Sequence, residues 1–267
     1  MAESLPLEGP APYPPVLSAL SEDGLSYDDG SLSVRIERDV AFDTNIYYVY
    51  VRIQDPSQLR TALAGKPGTA ATVKAAQLAS RNQAVLALNG DYFNGHHSGI
   101  AYRQGKQLRN VPAYTRDLCI VDEKGDLHII ASSTNREQVA NFEAYTGEII
   151  QCFCFGPGLI IDGEKAVFQY QKKTSCGYPT KAQRLIFCQT GPLEYLFFAT
   201  EGPEQNQPGL SVPECVSLLE ELGTVKQAYN MDGGNSVHIL LCGNRINAPE
   251  SKTRDLCDII YFATLIH

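Results

Sequence analysis

The chain has 267 residues, 43% of them hydrophobic and 19% charged, with a net charge of 22 − 30 = −8. That length suits one large domain or two small ones, since domains usually run to ~100–200 residues. One is expected, because no linker interrupts the middle. The acidic balance argues against general nucleic-acid or anionic-membrane binding, which needs a basic face, yet it leaves room for a small basic pocket that holds one phosphate. No apolar stretch approaches the ~20 residues of a bilayer span.

Pro6, Pro10, Pro12, Pro14 and Pro15 crowd the start of the chain. They predict an extended tail over 1–24 that cannot fold alone, ahead of a domain over 25–267. Met1-Ala2-Glu3-Ser4-Leu5 lacks the basic and apolar regions of a signal peptide. A cytoplasmic setting therefore stays open beside a secreted or surface-anchored one reached through a removed leader. Residues 32–38 alternate apolar and polar side chains and read as a half-buried strand. Residues 45–53, rich in β-branched and aromatic residues, should pair with it. Asp55-Pro56 stops that strand. A short helix is expected over 57–63 and a better one over 72–79. Ala84-Val85-Leu86-Ala87-Leu88 reads as a strand buried on both faces.

Residues 118–121 and 127–130 flank a polar loop with Gly125 and predict a hairpin. Residues 158–161 form another strand, and 184–200 supply two more around Gly191-Pro192. The clearest helix starts at Ser211: Ser211-x-x-Glu214 is a capping box, and Val212, Val216, Leu219 and Leu222 make an apolar face up to Gly223. Many strands with few helices predict an α+β domain, with a mixed, largely antiparallel sheet core and a few flanking helices.

Cysteine occurs at 119, 152, 154, 176, 188, 215, 242 and 257. Most of these residues sit inside apolar runs, where a reduced thiol behaves as a small buried hydrophobe. Cys152-x-Cys154 is not a tight zinc spacing. His96-His97 reads as a surface loop, since adjacent histidines point apart and rarely chelate one ion. No metal site is expected. Tyr92 and Phe93 read as core.

Two strand ends carry the chemistry. The run 84–88 ends in Asn89-Gly90-Asp91, and the approach Ala228-Tyr229-Asn230-Met231 ends in Asp232-Gly233-Gly234-Asn235-Ser236. Glycine permits a sharp turn and close approach to a ligand. A carboxylate beside exposed N–H groups and small polar side chains suits a sugar or a phosphate. The repetition predicts that both ends meet in one pocket.

These motifs, taken in order, resemble the phosphodiester glycosidase family over roughly residues 30 to 265. Asn89-Gly90-Asp91-Tyr92-Phe93, Gly99 with Arg103-x-Gly105, Phe155-Gly156-Pro157-x-Leu159, Arg184, the helix 211–223, Asp232-Gly233-Gly234-Asn235-Ser236, Asn247-x-Pro249 and Arg254 carry the resemblance. Asn235, Val237, Cys188 and Glu201-Gly202-Pro203 depart from the family pattern. The resemblance implies hydrolysis of the C1–O–phosphate link of a glycosyl-1-phosphodiester, with an N-acetylglucosamine-type sugar in exopolysaccharide or cell-surface glycan. It implies no cofactor, with a divalent ion unassigned, and a glycan or small-molecule substrate as the partner.

Glycosidases usually act through two carboxylates, and Asp232 and Asp91 are the expected catalytic pair. Arg103 and Arg184 are expected at the phosphate, because a guanidinium fork fits its oxygens. Gly90, Gly233 and Gly234 are expected to bring backbone to the substrate. Asn89 either binds a sugar hydroxyl or satisfies the strand end, and Ser236 either bonds the ligand or caps a turn. Ser236 is not expected to be a nucleophile, since no base is evident beside it. Two other readings stay open: a non-catalytic carbohydrate- or phosphoglycan-binding domain, and a transglycosylase of exopolysaccharide maturation.

Overall fold

A computed structural model describes residues 4–166 and 179–267 of the chain; Cys176 lies outside them. In chain order the strands are β1 (Ser26–Asp28), β2 (Leu32–Ala41), β3 (Thr44–Ile53), β4 (Leu59–Leu63), β5 (Leu86–Asn89), β6 (Gly99–Arg103), β7 (Lys106–Val111), β8 (Leu118–Asp122), β9 (Leu127–Ile130), β10 (Ile149–Phe153), β11 (Gly158–Ile161), β12 (Glu164–Lys165), β13 (Leu185–Gly191), β14 (Glu194–Thr200), β15 (Gln227–Asn230), β16 (Ile239–Leu241), β17 (Asn244–Arg245) and β18 (Asp258–Phe262). The helices are α1 (Ala75–Arg81), α2 (Asn135–Ala144) and α3 (Val212–Glu221).

Among the described residues these strands form three sheets, in the orders β1-β2-β3-β14-β13-β15-β11-β12, β7-β6-β10-β8-β9 and β17-β16-β5-β18-β4. Their pairings are antiparallel. The fold is α+β.

The near-continuous apolar runs follow from burial on both faces of each sheet. In β13, Leu185 and Phe187 enter the central core between the sheets, while Ile186 and Cys188 face outward onto α3 through Leu210, Val216 and Leu219. In β5, Leu86 and Leu88 join the central core, and Ala87 packs under α1 with Leu78 and Ala79. In β8, Cys119 and Val121 face the centre, whereas Leu118 and Ile120 turn toward Phe142 of α2. Six of the cysteines, at 119, 152, 154, 188, 215 and 257, are buried in these layers.

The helix expected over 57–63 is corrected: Pro56–Gln58 is one turn of 3-10 helix, and β4 follows at once. Gln58 closes the Asp55 cap, and Leu59–Leu63 then pairs residue for residue with β18, a partner some 200 residues away that local pattern cannot reveal. Ser211 and Glu214 do form the capping box of α3. Residues 4–24 lie against the domain: Leu5 and Ala11 are buried beside α1, and Arg60 donates from Nη2 to the carbonyls of Pro6 and Gly9 at 2.8 and 3.0 Å. No helix among the described residues is long and apolar enough to cross a membrane.

Phe187 stacks on Phe197 with ring centroids 4.6 Å apart, in the centre of the core. Phe187→Ala should destabilise the protein by about 3–5 kcal/mol. Val40→Ala, at a hairpin end where Val40 is 64% exposed, should stay within about 0.5 kcal/mol. Urea unfolding midpoints compare them, and equal losses would contradict this core.

Candidate active site

Three strand ends converge. Asn89 closes β5; its Nδ2 donates to the Asp232 carbonyl at 2.8 Å, and its Oδ1 accepts the His238 N–H at 3.3 Å. One amide thereby ties the end of β5 to the turn after β15 and the entry of β16. β18 lies beside β5 with Ile259 opposite Asn89, which puts Asp258 against Gly90. A Cβ on Gly90 would collide with the Asp258 carboxylate, so this close passage requires glycine.

Asp232 is 8% exposed. Its Oδ1 accepts the Gly233 N–H at 3.0 Å, and Oδ2 takes Nη2 of Arg254 at 2.5 Å. Burial raises its carboxyl above the usual range, opposed by the Arg254 charge and the Ser236 hydroxyl. Arg254 also donates from Nε to Ser236 Oγ, and its guanidinium lies 4.5 Å above the Tyr92 ring. Among the described residues its Nη1 has no hydrogen-bond partner, and the side chain is 36% exposed. Tyr92 holds a left-handed backbone, φ 58°, a conformation rare for a bulky residue and common at ligand sites.

The cleft at Asp232 is also lined by Gly90, Tyr92, Ser236 and Asp258. It is tight, about 10 Å³, room for a single water. Arg254 and Asp255 form a wall shared with a cavity of about 430 Å³, lined further by Lys74, His238, Arg245, Glu250 and Thr253. His238 donates from Nδ1 to the Ser236 carbonyl at 2.7 Å. Burial drives its pKa down to about 4, so the ring is neutral and Nε2 is an acceptor.

The other sequence-predicted residues lie as follows. Asp91 is fully buried beneath the cleft: Oδ1 meets Arg103 Nη2 at 2.5 Å and Oδ2 accepts the Cys154 N–H at 2.8 Å. Arg103 is buried with it and donates from Nη1 to the Tyr102 and Cys152 carbonyls. Arg184 is buried on the α3 side, donating to the carbonyls of Leu210 at 3.1 Å and Thr180 at 2.5 Å. Neither arginine reaches the cleft. A Cβ on Gly233 would stand 2.5 Å from the Gln183 carbonyl, so that glycine serves chain packing, while Gly234 turns with φ 59° toward open space. His97 is exposed, but His96 turns inward against Tyr92 and Phe155, and burial takes its pKa to about 4. Glu201 is buried, accepting from Tyr47 Oη and the Ala248 N–H, both at 2.9 Å.

Sequence reasoning gave no role to Arg254, Asp258 or His238. Arg254-x-x-x-Asp258 immediately before the apolar run 259–263 was the available signal. Asp258 accepts the Asp91 N–H at 3.1 Å and the Phe93 N–H at 3.4 Å, and Arg103 lies 3.4 Å away. Burial and then the Asp91 charge raise it to about 7. Asp91 moves the other way: burial would raise it, but the Arg103 charge and the Cys154 N–H hold it below the ordinary range.

An unfolded aspartate titrates near ~3.9, so between there and about 7 the folded state binds the extra proton of Asp258. Stability from this group therefore falls as pH rises through that window. Asp258→Asn should give a shallower decline of Tm between pH 4 and 7.5 than wild type. Parallel profiles would contradict the shared proton.

The family model described as phosphodiester glycosidase matches residues 82–263. No curated protein matches the sequence. The fold resembles the zebrafish N-acetylglucosamine-1-phosphodiester alpha-N-acetylglucosaminidase catalytic domain auto-inhibited by its pro-peptide: TM-score 0.69 at 17% identity, over 92% of this chain and 87% of that one. It also resembles a hypothetical protein from Synechocystis, with TM-score 0.65 at 13% identity, over 86% of this chain and 62% of that one. These likenesses concern the fold, whereas the family match spans more than half of the sequence: the chain belongs to the phosphodiester glycosidase family.

Proposed function

We propose that the protein hydrolyses a glycosyl-1-phosphodiester, with an N-acetylglucosamine-type sugar, at the tight cleft around Asp232. Family membership supports a glycosidase-type function. The finer reading is carried by one observation: a carboxylate of raised pKa and a guanidinium with a free edge share the mouth of one cleft.

Anomeric carbon sits at Asp232 and the phosphate at Arg254 Nη1. The C1–O bond breaks with its electron pair leaving on the phosphate oxygen, and Arg254 offsets the growing negative charge. A phosphomonoester is a good leaving group, so the step needs less protonation than loss of a sugar alcohol. Ionised Asp232 stabilises positive charge at C1 and takes the proton of the water that adds there. Asn89 and the Ser236 hydroxyl orient Asp232 from its backbone and its carboxylate sides. Asp91, Arg103 and Asp258 support the floor on which Gly90 and Tyr92 rest, and we assign Asp91 this role in place of a second carboxylate at the bond.

Free sugar released from a methyl-phosphate diester of N-acetylglucosamine tests the reading. Asp232→Asn should lower kcat about 10²–10⁴-fold while leaving the melting temperature close to wild type. Arg254→Gln should lower kcat/KM about 10²–10³-fold. It should also move the acid limb of the pH profile upward, because the Arg254 charge holds the Asp232 carboxyl down. Full activity in Asp232→Asn, or tight sugar-phosphate binding without turnover by wild type, would overturn hydrolysis. The latter result would favour a binding domain.

A further inference from the structure

The cleft at Asp232 has room for a single water, so a sugar ring whose C1 reaches it lies outside it. The adjoining space is the cavity of about 430 Å³ across the Arg254–Asp255 wall. Its volume is ordinary for a small-molecule site. Most positive charge around it is already engaged. Lys74 Nζ pairs with Glu250 at 2.6 Å, Asp232 and Ser236 hold Arg254 by all but one edge, and Arg245 Nη1 is sealed off. Two acceptors are not engaged. His238 is 1% exposed and lines the cavity. Its backbone N–H is anchored on Asn89 Oδ1 at 3.3 Å, and its ring Nδ1 lies 2.7 Å from the Ser236 carbonyl, which can only accept. The proton of the neutral ring is therefore on Nδ1, and Nε2 is a lone pair held in one direction. Among the described residues Nε2 has no hydrogen-bond partner, and it is not one of the sealed polar atoms. Asp255 is exposed and lines cleft and cavity alike, and its carboxylate has no hydrogen bond or ion pair among the described residues.

A buried acceptor without a donor is costly. A fully ionised anion cannot supply the donor and would meet the Asp255 charge, whereas a neutral hydroxyl supplies it and brings no charge. We propose that His238 and Asp255 read the sugar: His238 Nε2 and the Asp255 carboxylate each accept a hydrogen bond from a ring hydroxyl of the pyranose seated in this cavity. The inference rests on the reading of the Asp232 cleft given above. With C1 at Asp232 and the phosphate on the free edge of Arg254, the ring crosses the shared wall and turns its hydroxyls toward Nε2. His238 is the specificity-determining member of the pair, because its lone pair is buried and has one fixed direction, while the exposed Asp255 can bond water instead. A site built to accept from a hydroxyl rejects the analogue that lacks it, because its own group is then left unpaired. Neither residue takes part in bond breaking; both act on which sugar is held.

Binding tests this without requiring turnover. The full chain is titrated calorimetrically with N-acetylglucosamine 1-phosphate and with its 3-, 4- and 6-deoxy analogues. One analogue should bind at least about tenfold more weakly than the parent sugar. His238→Phe should erase that penalty, and His238→Gln, which can present an amide oxygen near the position of Nε2, should restore part of it. Asp255→Ala should leave that penalty in place and relieve a smaller one at a second hydroxyl. Equal affinities for all four sugars in wild type, an unchanged penalty in a folded His238→Phe, or no binding of any of them would overturn the inference. His238→Ala serves the same comparison if His238→Phe does not fold. In hydrolysis of the methyl-phosphate diester, His238→Phe should raise KM and leave kcat unchanged, the mark of lost binding. A loss confined to kcat would also overturn the inference. If the sugars bind with this pattern and no diester is hydrolysed, the reaction proposed above fails and the sugar-reading pair stands. Turnover without the pattern has the opposite meaning.

Discussion

The buried contact among Asp91, Arg103 and Asp258 underlies everything at the candidate site. Ion pairs out of water are expensive to form, and removing one partner typically costs ~3–5 kcal/mol because the other is stranded. Here three ionisable groups lie together, and the solution is chemical: one carboxylate keeps its charge against Arg103 while the other holds a proton. The two carboxyls also accept backbone N–H groups from Asp91, Phe93 and Cys154. Strands of two different sheets, β5 with β18 and β6 with β10, are thereby locked at one point. The left-handed Tyr92 sits directly above that point, and on Tyr92 lies the guanidinium of Arg254.

Rigidity at the cleft thus comes from below and polarity from the side. Asn89 joins strand ends through its amide without adding charge, which leaves the carboxylate of Asp232 as the acid that meets Arg254 at the opening. Catalytic electrostatics depends on such donors and acceptors being fixed before the substrate arrives. Arg254 meets that requirement: two of its nitrogens are held by Ser236 and Asp232, its face by an aromatic ring, and one edge is left over.

Much of this was legible in the sequence, for definite reasons. The run at 84–88 is apolar at every position because both faces of its strand are covered, and its abrupt polar end marks where the sheet runs out. Ser211 and Glu214 announce α3 because capping is local. What escaped was whatever depends on distant partners. Residues 57–63 carry a helix-compatible pattern, and only pairing with β18 makes them a strand. Arg103, at the end of β6, and Arg184, just ahead of β13, look like phosphate ligands from their surroundings in sequence, yet the fold turns both inward, Arg103 onto Asp91 and carbonyls and Arg184 onto carbonyls. Arg254, in an irregular segment before β18, turns out to be the cation at the opening. Nothing in composition distinguishes an arginine spent on the interior from one left for a ligand.

The first residues of the described chain are bound up with all this through Arg60. Its guanidinium is fully buried, bonded to Tyr261 Oη at 2.9 Å and closed off by the Pro6 and Gly9 carbonyls. Tyr261 belongs to the same strand as Asp258. Peeling away the proline-rich leading segment would strip acceptors from an interior cation, expose the apolar side of α1 around Leu5 and Ala11, and loosen the strand pair that seats Asp258. The segment therefore works as a brace on the outer strand of that sheet, holding from outside the same β4–β18 pair whose far end carries Asp258.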